Sequence, residues 1–229
     1  MIQPIYRHEY KHEINLMDYH CIKQRIKALA KLDSNANQDG LYLVRSLYFD
    51  NDQDVALREK IDGLPNRVKY RIRIYNGEES CIKLEKKSKV SGMCNKQSVL
   101  LTRPQCDLIT SGDIHWMAES KEALIVEFYT KLLNNRLKPK TIVDYNREAY
   151  IFPHGNVRVT FDSDIRTGIY RTNIFDKDLQ MVEVMPLPGV MVLEVKYDNY
   201  LPDVIKDVIQ SKNRHMTAFS KYASARIYG

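Results

Sequence analysis

Arg67, Lys69, Arg71 and Arg73 stand at alternate positions of the run Arg67–Tyr75, with Val68, Tyr70, Ile72 and Ile74 between them. Successive strand side chains point to opposite faces, so the four cations share one face of a predicted strand. Four like charges in a row repel each other unless water and salt screen them or an anion lies against them. Carboxylates enter the same pattern elsewhere: Glu9 beside Lys11, Glu85 between Lys83 and Lys87, and Glu194 beside Lys196, each two residues apart. Cations that grip phosphate oxygens, with a few carboxylates as hard oxygen donors for Mg²⁺ or Mn²⁺, are the ingredients of metal-assisted phosphate chemistry. Cross-strand charge balancing explains a single such pair equally well, but the repetition over several strands favours the phosphate reading.

The strands that must carry these residues are legible from alternation. Arg7, Glu9, Lys11 and Glu13 alternate with Tyr6, His8, Tyr10 and His12. Arg158, Thr160 and Asp162 oppose Val157, Val159 and Phe161, and Glu194 and Lys196 oppose Leu193, Val195 and Tyr197. A solvated sheet face carries a mixture of Thr, Ser, Gln, Lys and Glu, whereas these polar faces are nearly all Arg, Lys and Glu. A charged barrel interior fits better than a plain outer surface.

Around the strands, Asn15 with Asp18 reads as the cap of a helix over 16–32, and 52–61 as a short helix stopped near Gly63 and Pro65. Asn76–Gly77 signals a hairpin between strands 67–75 and 81–88. Residues 88–95 read as a loop, 102–111 as a helix with Pro104 in its first turn, and 118–133 as a longer helix. A hairpin joins 141–152 to 157–165. Strands near 180–185 and 190–197 flank Pro186–Gly189, and helices over 202–210 and 217–228 close the chain. No repeat or linker appears, so 1–229 reads as one α+β domain.

The 229 residues carry a net charge of +6, which points to an anionic partner. The plentiful Asp and Glu argue against bare attraction to nucleic acid. Of the 15 tyrosines, those near the basic strand fall mostly opposite the cations, which disfavours a base-stacking RNA platform. Cys21, Cys81, Cys94 and Cys106 form no CxxC pair. With no signal peptide or long apolar run, a cytoplasmic protein without membrane insertion is expected. His8–His12 matches the zinc-protease string HExxH, yet on a strand its histidines lie about 13 Å apart. They are expected on the packed outer face instead.

Several of these segments, in order, resemble a known family: Arg7–Lys11, Ser46–Asp50, Lys69–Arg73, Leu84–Lys87, Tyr145–Tyr150, Arg158–Asp162 and Leu193–Lys196. They are similar to VTC domains, the polyphosphate polymerase domains of the vacuolar transporter chaperone complex and their bacterial relatives, within the triphosphate tunnel metalloenzymes (CYTH-like group). The resemblance implies a closed antiparallel β-barrel with flanking helices, ATP and inorganic polyphosphate as partners, and Mn²⁺ or Mg²⁺ as cofactor. It implies catalytic roles for Lys11, Lys69, Arg71, Arg73 and Arg158, and substrate binding by Lys83, Lys87, Lys96, Arg147, Lys196 and Lys221. Glu194 is implied as the main metal ligand, with Glu9 and Glu85 beside it. Arg58 or Lys60 is a further candidate cation, whereas Arg67 falls outside the matching motif at the start of its strand. The wider group often opens with ExExK; Arg7 stands at the first Glu position, which fits the polymerase branch better than two-metal hydrolysis. A tunnel triphosphatase and a non-catalytic polyphosphate- or inositol-phosphate-binding module are the alternatives.

Overall fold

The computed structural model describes residues 6–185, 189–210 and 218–228. Strand β1 (His8–Ile14) leads into helix α1 (Leu16–Lys27), then β2 (Lys31–Leu32), β3 (Leu41–Asp50), α2 (Val55–Ile61), β4 (Arg67–Tyr75), β5 (Glu78–Val90) and β6 (Met93–Leu101). Next come α3 (Arg103–Ser111), a 3₁₀ turn (His115–Glu119), α4 (Ala123–Asn134), β7 (Lys138–Phe152) and β8 (Val157–Thr167). The chain ends with β9 (Val182–Glu183), β10 (Met191–Tyr197), α5 (Asp203–Ile209) and α6 (Lys221–Ile227).

All strand pairs are antiparallel, and the main path runs β1-β10-β8-β7-β3-β4-β5-β6. The expected closed barrel is not formed. The path has two ends, β1 and β6, and among the described residues their backbones pair only at the Arg7–Cys94 bridge, through N–H···O bonds of 2.9 and 3.0 Å. The sheet is therefore an open, strongly curled one, with α1, α3, α4 and α5 on its outside.

Local chemistry explains most of the element boundaries. Asn15 and Asp18 form a reciprocal capping box on α1, and Thr102 and Gln105 do the same for α3. Asn76 and Gly77 both adopt positive φ (53° and 71°), as a two-residue hairpin turn requires. Ser91 and Gly92 repeat that geometry (48° and 90°), so the segment expected to be a loop is the turn of a second hairpin, and β6 follows it. Helix α1 stops at Lys27 rather than 32, because Lys31–Leu32 pairs with β7 at Ile151 and Tyr150. The expected helix over 118–133 divides into the 3₁₀ turn and α4. Thr217 and Pro186–Pro188, expected as a helix start and a turn, lie outside the described residues.

Parity assigns the faces. Outward residues of β4 and β5 (Tyr70, Ile72, Ile74, Ile82, Leu84) pack with Cys106 and Ile109 of α3 and with Ile125 and Phe128 of α4. Outward residues of β8 and β10 (Val159, Phe161, Leu193, Val195) pack with Ile22 and Ile26 of α1 and Ile205 of α5. Such burial stabilises by about 25 cal/mol per Å² of apolar area. His8 belongs to this outer side and stacks on Tyr197 at 4.9 Å, so the HExxH string is a strand segment. A third cluster lies inside the curl, where Tyr222 and Ala225 of α6 meet Tyr48, Val143 and Tyr145. That inner apolar patch seats α6 against the concave face.

Candidate functional site: a cation-lined cavity in the curl

Inside the curl lies a cavity of about 300 Å³. One wall is β4 and β5, which contribute Lys69, Arg71, Arg73 and Lys87. The opposite wall is β1, β10 and β7, with Glu9, Lys11, Glu194, Lys196 and Arg147. The segment Ala218–Tyr222 at the start of α6 reaches in between them. Eleven cations and two carboxylates line this space, a formal excess of nine positive charges. Alternation produces that excess: the apolar residues of each strand go outward to the helices, so every charge on the other parity is turned inward.

The cations differ in how they are satisfied. Arg71 donates Nε and Nη2 to Glu85 Oε2 at 2.8 and 2.6 Å, and Nη1 to the Tyr48 hydroxyl at 2.9 Å. Arg73 donates to Ser46 Oγ and to the Tyr145 hydroxyl, both at 3.0 Å. Arg147 grips Asp162 in a two-pronged contact at 2.6 and 2.7 Å, and Lys221 Nζ reaches the same carboxylate at 2.5 Å. Two arginines are thus fixed by buried carboxylates, an arrangement that sets a guanidinium plane before any ligand arrives. Lys11 pairs with Glu9 at 2.9 Å and donates to the Phe219 carbonyl at 3.2 Å. Lys87 also pairs with Glu9 at 2.7 Å, and Lys196 with Glu194 at 2.8 Å.

Lys69 is the exception. Its cross-strand partner is Lys87, a like charge. Its ammonium donates to Ser220 Oγ at 3.3 Å and sits 4.9 Å above the Tyr222 ring, with no carboxylate pair among the described residues. Burial, together with Lys11, Lys60, Arg67 and Lys87, pushes its pKa down to about 7. Lys196 is pushed down to about 8, burial and nearby cations outweighing Glu194 and Glu9. Burial opposes the charge of Glu9 and Glu194, but Lys11 and Lys87 beside the first and Lys196 and Lys11 beside the second hold both below the usual carboxylate range. For Glu85, Arg71 and Arg73 likewise overcome burial. The Tyr48 hydroxyl is lowered by Arg71 and Arg73 against the effect of burial.

Most of the sequence-predicted residues come together: Lys11, Lys69, Arg71, Arg73, Lys87, Arg147, Lys196, Lys221, Glu9 and Glu194 all line the cavity. Arg158, Lys83, Lys96 and Glu85 do not. Arg158 sits farther along its strand, held by Asp33 at 2.5 Å and the Tyr42 hydroxyl at 2.8 Å. Lys83 lies 5.5 Å over the Tyr75 ring. Lys96 reaches Glu85 at 3.3 Å with its side chain half in solvent. Glu85 is 1% exposed behind Arg71, so it positions that arginine and faces no ligand. Of the two further candidates, Lys60 reaches the cavity and Arg58 does not; Arg67, set aside from the sequence, also lines it. Sequence reasoning did not single out Tyr48, Tyr145, Asp162, Ser220 or Tyr222 as site residues. Asp162 shares the parity of Arg158, which marked it as inward-facing, but nothing local reveals that Lys221 is its partner.

A divalent cation fits part of the donor set. Glu9 and Glu194 are ionised, face the cavity and offer hard oxygens, and Mg²⁺ commonly takes one or two carboxylates with substrate phosphates completing its shell. Glu85 does not fit, because it is held behind Arg71 and does not line the cavity, whereas Glu9 and Glu194, though paired with Lys11, Lys87 and Lys196, face it. Among the described residues no group of three His, Cys, Asp or Glu side chains is placed to hold an ion without such phosphates.

The family model for the VTC domain matches residues 6–227. No curated protein matches the chain by sequence. Solved structures with a similar fold include a proposed adenylate cyclase from Bacillus halodurans, 13% identical, covering 90% of this chain and 87% of that one, with a TM-score of 0.49. The PH1819 protein of Pyrococcus horikoshii OT3 is 14% identical over 89% of this chain and 84% of its own, with a TM-score of 0.41. The PH1012 protein of the same organism is 16% identical over 89% and 85%, with a TM-score of 0.42.

Proposed function

The chain belongs to the VTC domain family, and from that membership together with the cavity we propose that it is a metal-dependent ATP–polyphosphate phosphotransferase. The observation that carries the phosphate part of this reading is the excess of cations over carboxylates in the cavity, with half-buried Lys69 making no ion pair with a carboxylate among the described residues. A desolvated ammonium without a counter-ion is costly. A phosphate oxygen supplies the missing charge.

Phosphoryl transfer asks little covalent chemistry of the protein; positioning and charge stabilisation dominate. Arg71 and Arg73, fixed by Glu85, Ser46 and the two tyrosines, hold the equatorial oxygens of the transferring group. Lys69 and Lys11 take the oxygens on either side of it. The terminal oxygen of the acceptor polyphosphate forms a bond to the γ-phosphorus of ATP while the bond to the β–γ bridging oxygen breaks, leaving ADP. The acceptor is already anionic, so no general base is needed. Glu9 and Glu194 would hold Mg²⁺ or Mn²⁺, which when bound neutralises charge on the phosphates. Incubating the protein with labelled ATP, polyphosphate primer and either metal tests this: one ADP appears for each phosphoryl group added to the polymer. ATP consumption that releases free phosphate without polymer points to a triphosphatase instead.

One observation favours a non-catalytic binding module. Glu9 and Glu194 are both paired with lysines, an arrangement that serves anion retention without metal. In that case polyphosphate raises the melting temperature and no ADP forms.

A further inference from the structure

Asp50, the last residue of β3, is fully buried and does not line the cavity. Four donors converge on its carboxyl group. Oδ1 accepts from the Asn51 amide at 2.9 Å and the Ala56 amide at 3.0 Å. Oδ2 accepts from the Leu57 amide at 3.1 Å and the Tyr222 hydroxyl at 2.6 Å. Asp50 thus satisfies the first amides of α2, which Asp54 at the cap position leaves without a side-chain partner. Through Tyr222 the same carboxyl group ties α6 to α2, and Arg226 of α6 adds an ion pair to Asp54 at 2.9 Å. Both helices deliver side chains to the cavity: Lys60 from α2, and Ser220, Lys221 and Tyr222 from the start of α6. The Tyr222 ring lies 4.9 Å from the Lys69 ammonium and stacks at 5.1 Å on Tyr48, whose hydroxyl accepts from Arg71. Glu59 of α2 is close enough to feel both Asp50 and the cavity cations Lys69 and Arg67.

The cations of the empty cavity repel one another, and α2 and α6 each carry one of them. A buried tie outside the cavity holds these helices in place without putting negative charge where a ligand must go. Asp50 meets both conditions: its oxygens are taken up by α2 and α6, and it stands outside the lining. We propose that Asp50 is a positioning residue for anion binding, which through Tyr222 keeps the first turn of α6 seated beside Lys69 in the empty protein. It does not touch the ligand. This rests on the phosphate reading of the cavity and adds the device that pre-sets it. Without the tie, part of the free protein has α6 unseated, and affinity falls in proportion to the competent fraction that remains. The Lys221–Asp162 and Arg226–Asp54 pairs stay in place, so the loss is moderate.

The test is Tyr222→Phe, which removes the hydroxyl that reaches Asp50 and keeps the ring beside Lys69 and Tyr48. Calorimetric titration with inorganic tripolyphosphate, without metal, is expected to show binding about fivefold weaker than wild type. Hydrogen exchange in the free variant should speed up at the α6 amides and not at those of β4, and should return to the wild-type rate once tripolyphosphate is bound. Asp50→Asn should weaken binding at least as much, and adding Tyr222→Phe to it should cost nothing further, because both changes break one tie. A merely structural Asp50 would lower the melting temperature while leaving affinity within about twofold and α6 exchange unchanged in Tyr222→Phe, and that result overturns the proposal. Losses that add in the double variant overturn it too. If Asp50→Asn does not fold, Tyr222→Phe alone decides through affinity and exchange. A wild type that does not bind tripolyphosphate overturns the phosphate reading instead, and exchange over α6 in the free proteins still tests the tie.

Discussion

Lys69 makes anion binding consume a proton, and this gives the most direct test of the site. In the free protein its pKa is pushed down to about 7, so at pH 8 it is about nine-tenths neutral. A phosphate oxygen beside it favours the ammonium, so binding takes up about 0.9 proton at Lys69 at that pH. Each pH unit above 7 should weaken binding about tenfold, or about 1.4 kcal/mol, until the bound-state pKa is passed. The terminal phosphates of tripolyphosphate also titrate near this pH, so the quantity to read is the difference in proton uptake between wild type and Lys69→Met. Lys196, at about 8, adds its own part. The difference between wild type and Lys69→Met reads Lys69 together with its effect on the neighbouring Lys11, Lys60 and Lys87. Calorimetry of tripolyphosphate binding at pH 8 in buffers of different ionisation enthalpy reads that difference. Stability gives an independent check. Between pH 7 and about 10.4 the unfolded state binds the extra proton, so the free wild type should gain stability as pH rises through this window, and Lys69→Met should gain less. Identical proton uptake in the two proteins would refute the claim that Lys69 is an unpaired cation awaiting an anion.

Four further outcomes follow from the contacts. Arg71→Ala should lower turnover with ATP by about 3 kcal/mol of transition-state stabilisation, read as kcat/KM, whereas Arg158→Ala, outside the cavity, should leave kcat within about threefold. Asp162→Asn leaves Arg147 and Lys221 buried without their carboxylate and should cost about 3 kcal/mol in chemical denaturation. Glu85, Glu9 and Glu194 all have folded-state pKa values below their unfolded ones, so stability should fall as pH drops below about 4.3; Glu85→Gln should flatten part of that loss in acid titration. Gly155→Ala should destabilise by more than about 1 kcal/mol by thermal melting, because φ is +72° and the added Cβ would meet the Tyr200 carbonyl oxygen at 2.5 Å.

The legible parts of the sequence were those governed by period two. Lys69, Arg71 and Arg73 could be placed on one face because Tyr70, Ile72 and Ile74 demanded the other, and that face is inward. Element ends set by local chemistry, such as Asn15 with Asp18 and Asn76–Gly77, were equally readable. Alternation states a residue's face but not its depth along the strand. Arg158 and Lys83 have the inward parity and still miss the cavity, while Arg67 has it and belongs. Barrel closure failed for a similar reason: pairing of β1 with β6 depends on the curvature summed over eight strands, which no local pattern encodes. The Ser91–Gly92 hairpin was hidden because the residues after it, Met93 to Ser98, show no clean alternation of apolar and polar.

The inward cations fall into two kinds, and the difference bears on what the cavity is built to do. Arg71 and Arg147 each have a buried carboxylate of their own, Glu85 and Asp162, so the fold holds them charged and in place whether or not a ligand is bound. Lys69, Lys60 and Lys89 have none, and they follow one another from the centre of the cavity to one end. If the site served only to close the protein on itself, replacing those lysines by apolar residues of similar size would be stabilising, because like charges at close range in a poorly solvated space repel. Cations left without an ion-pair carboxylate among the described residues, beside two pre-set arginines, suit the phosphate ligand proposed above.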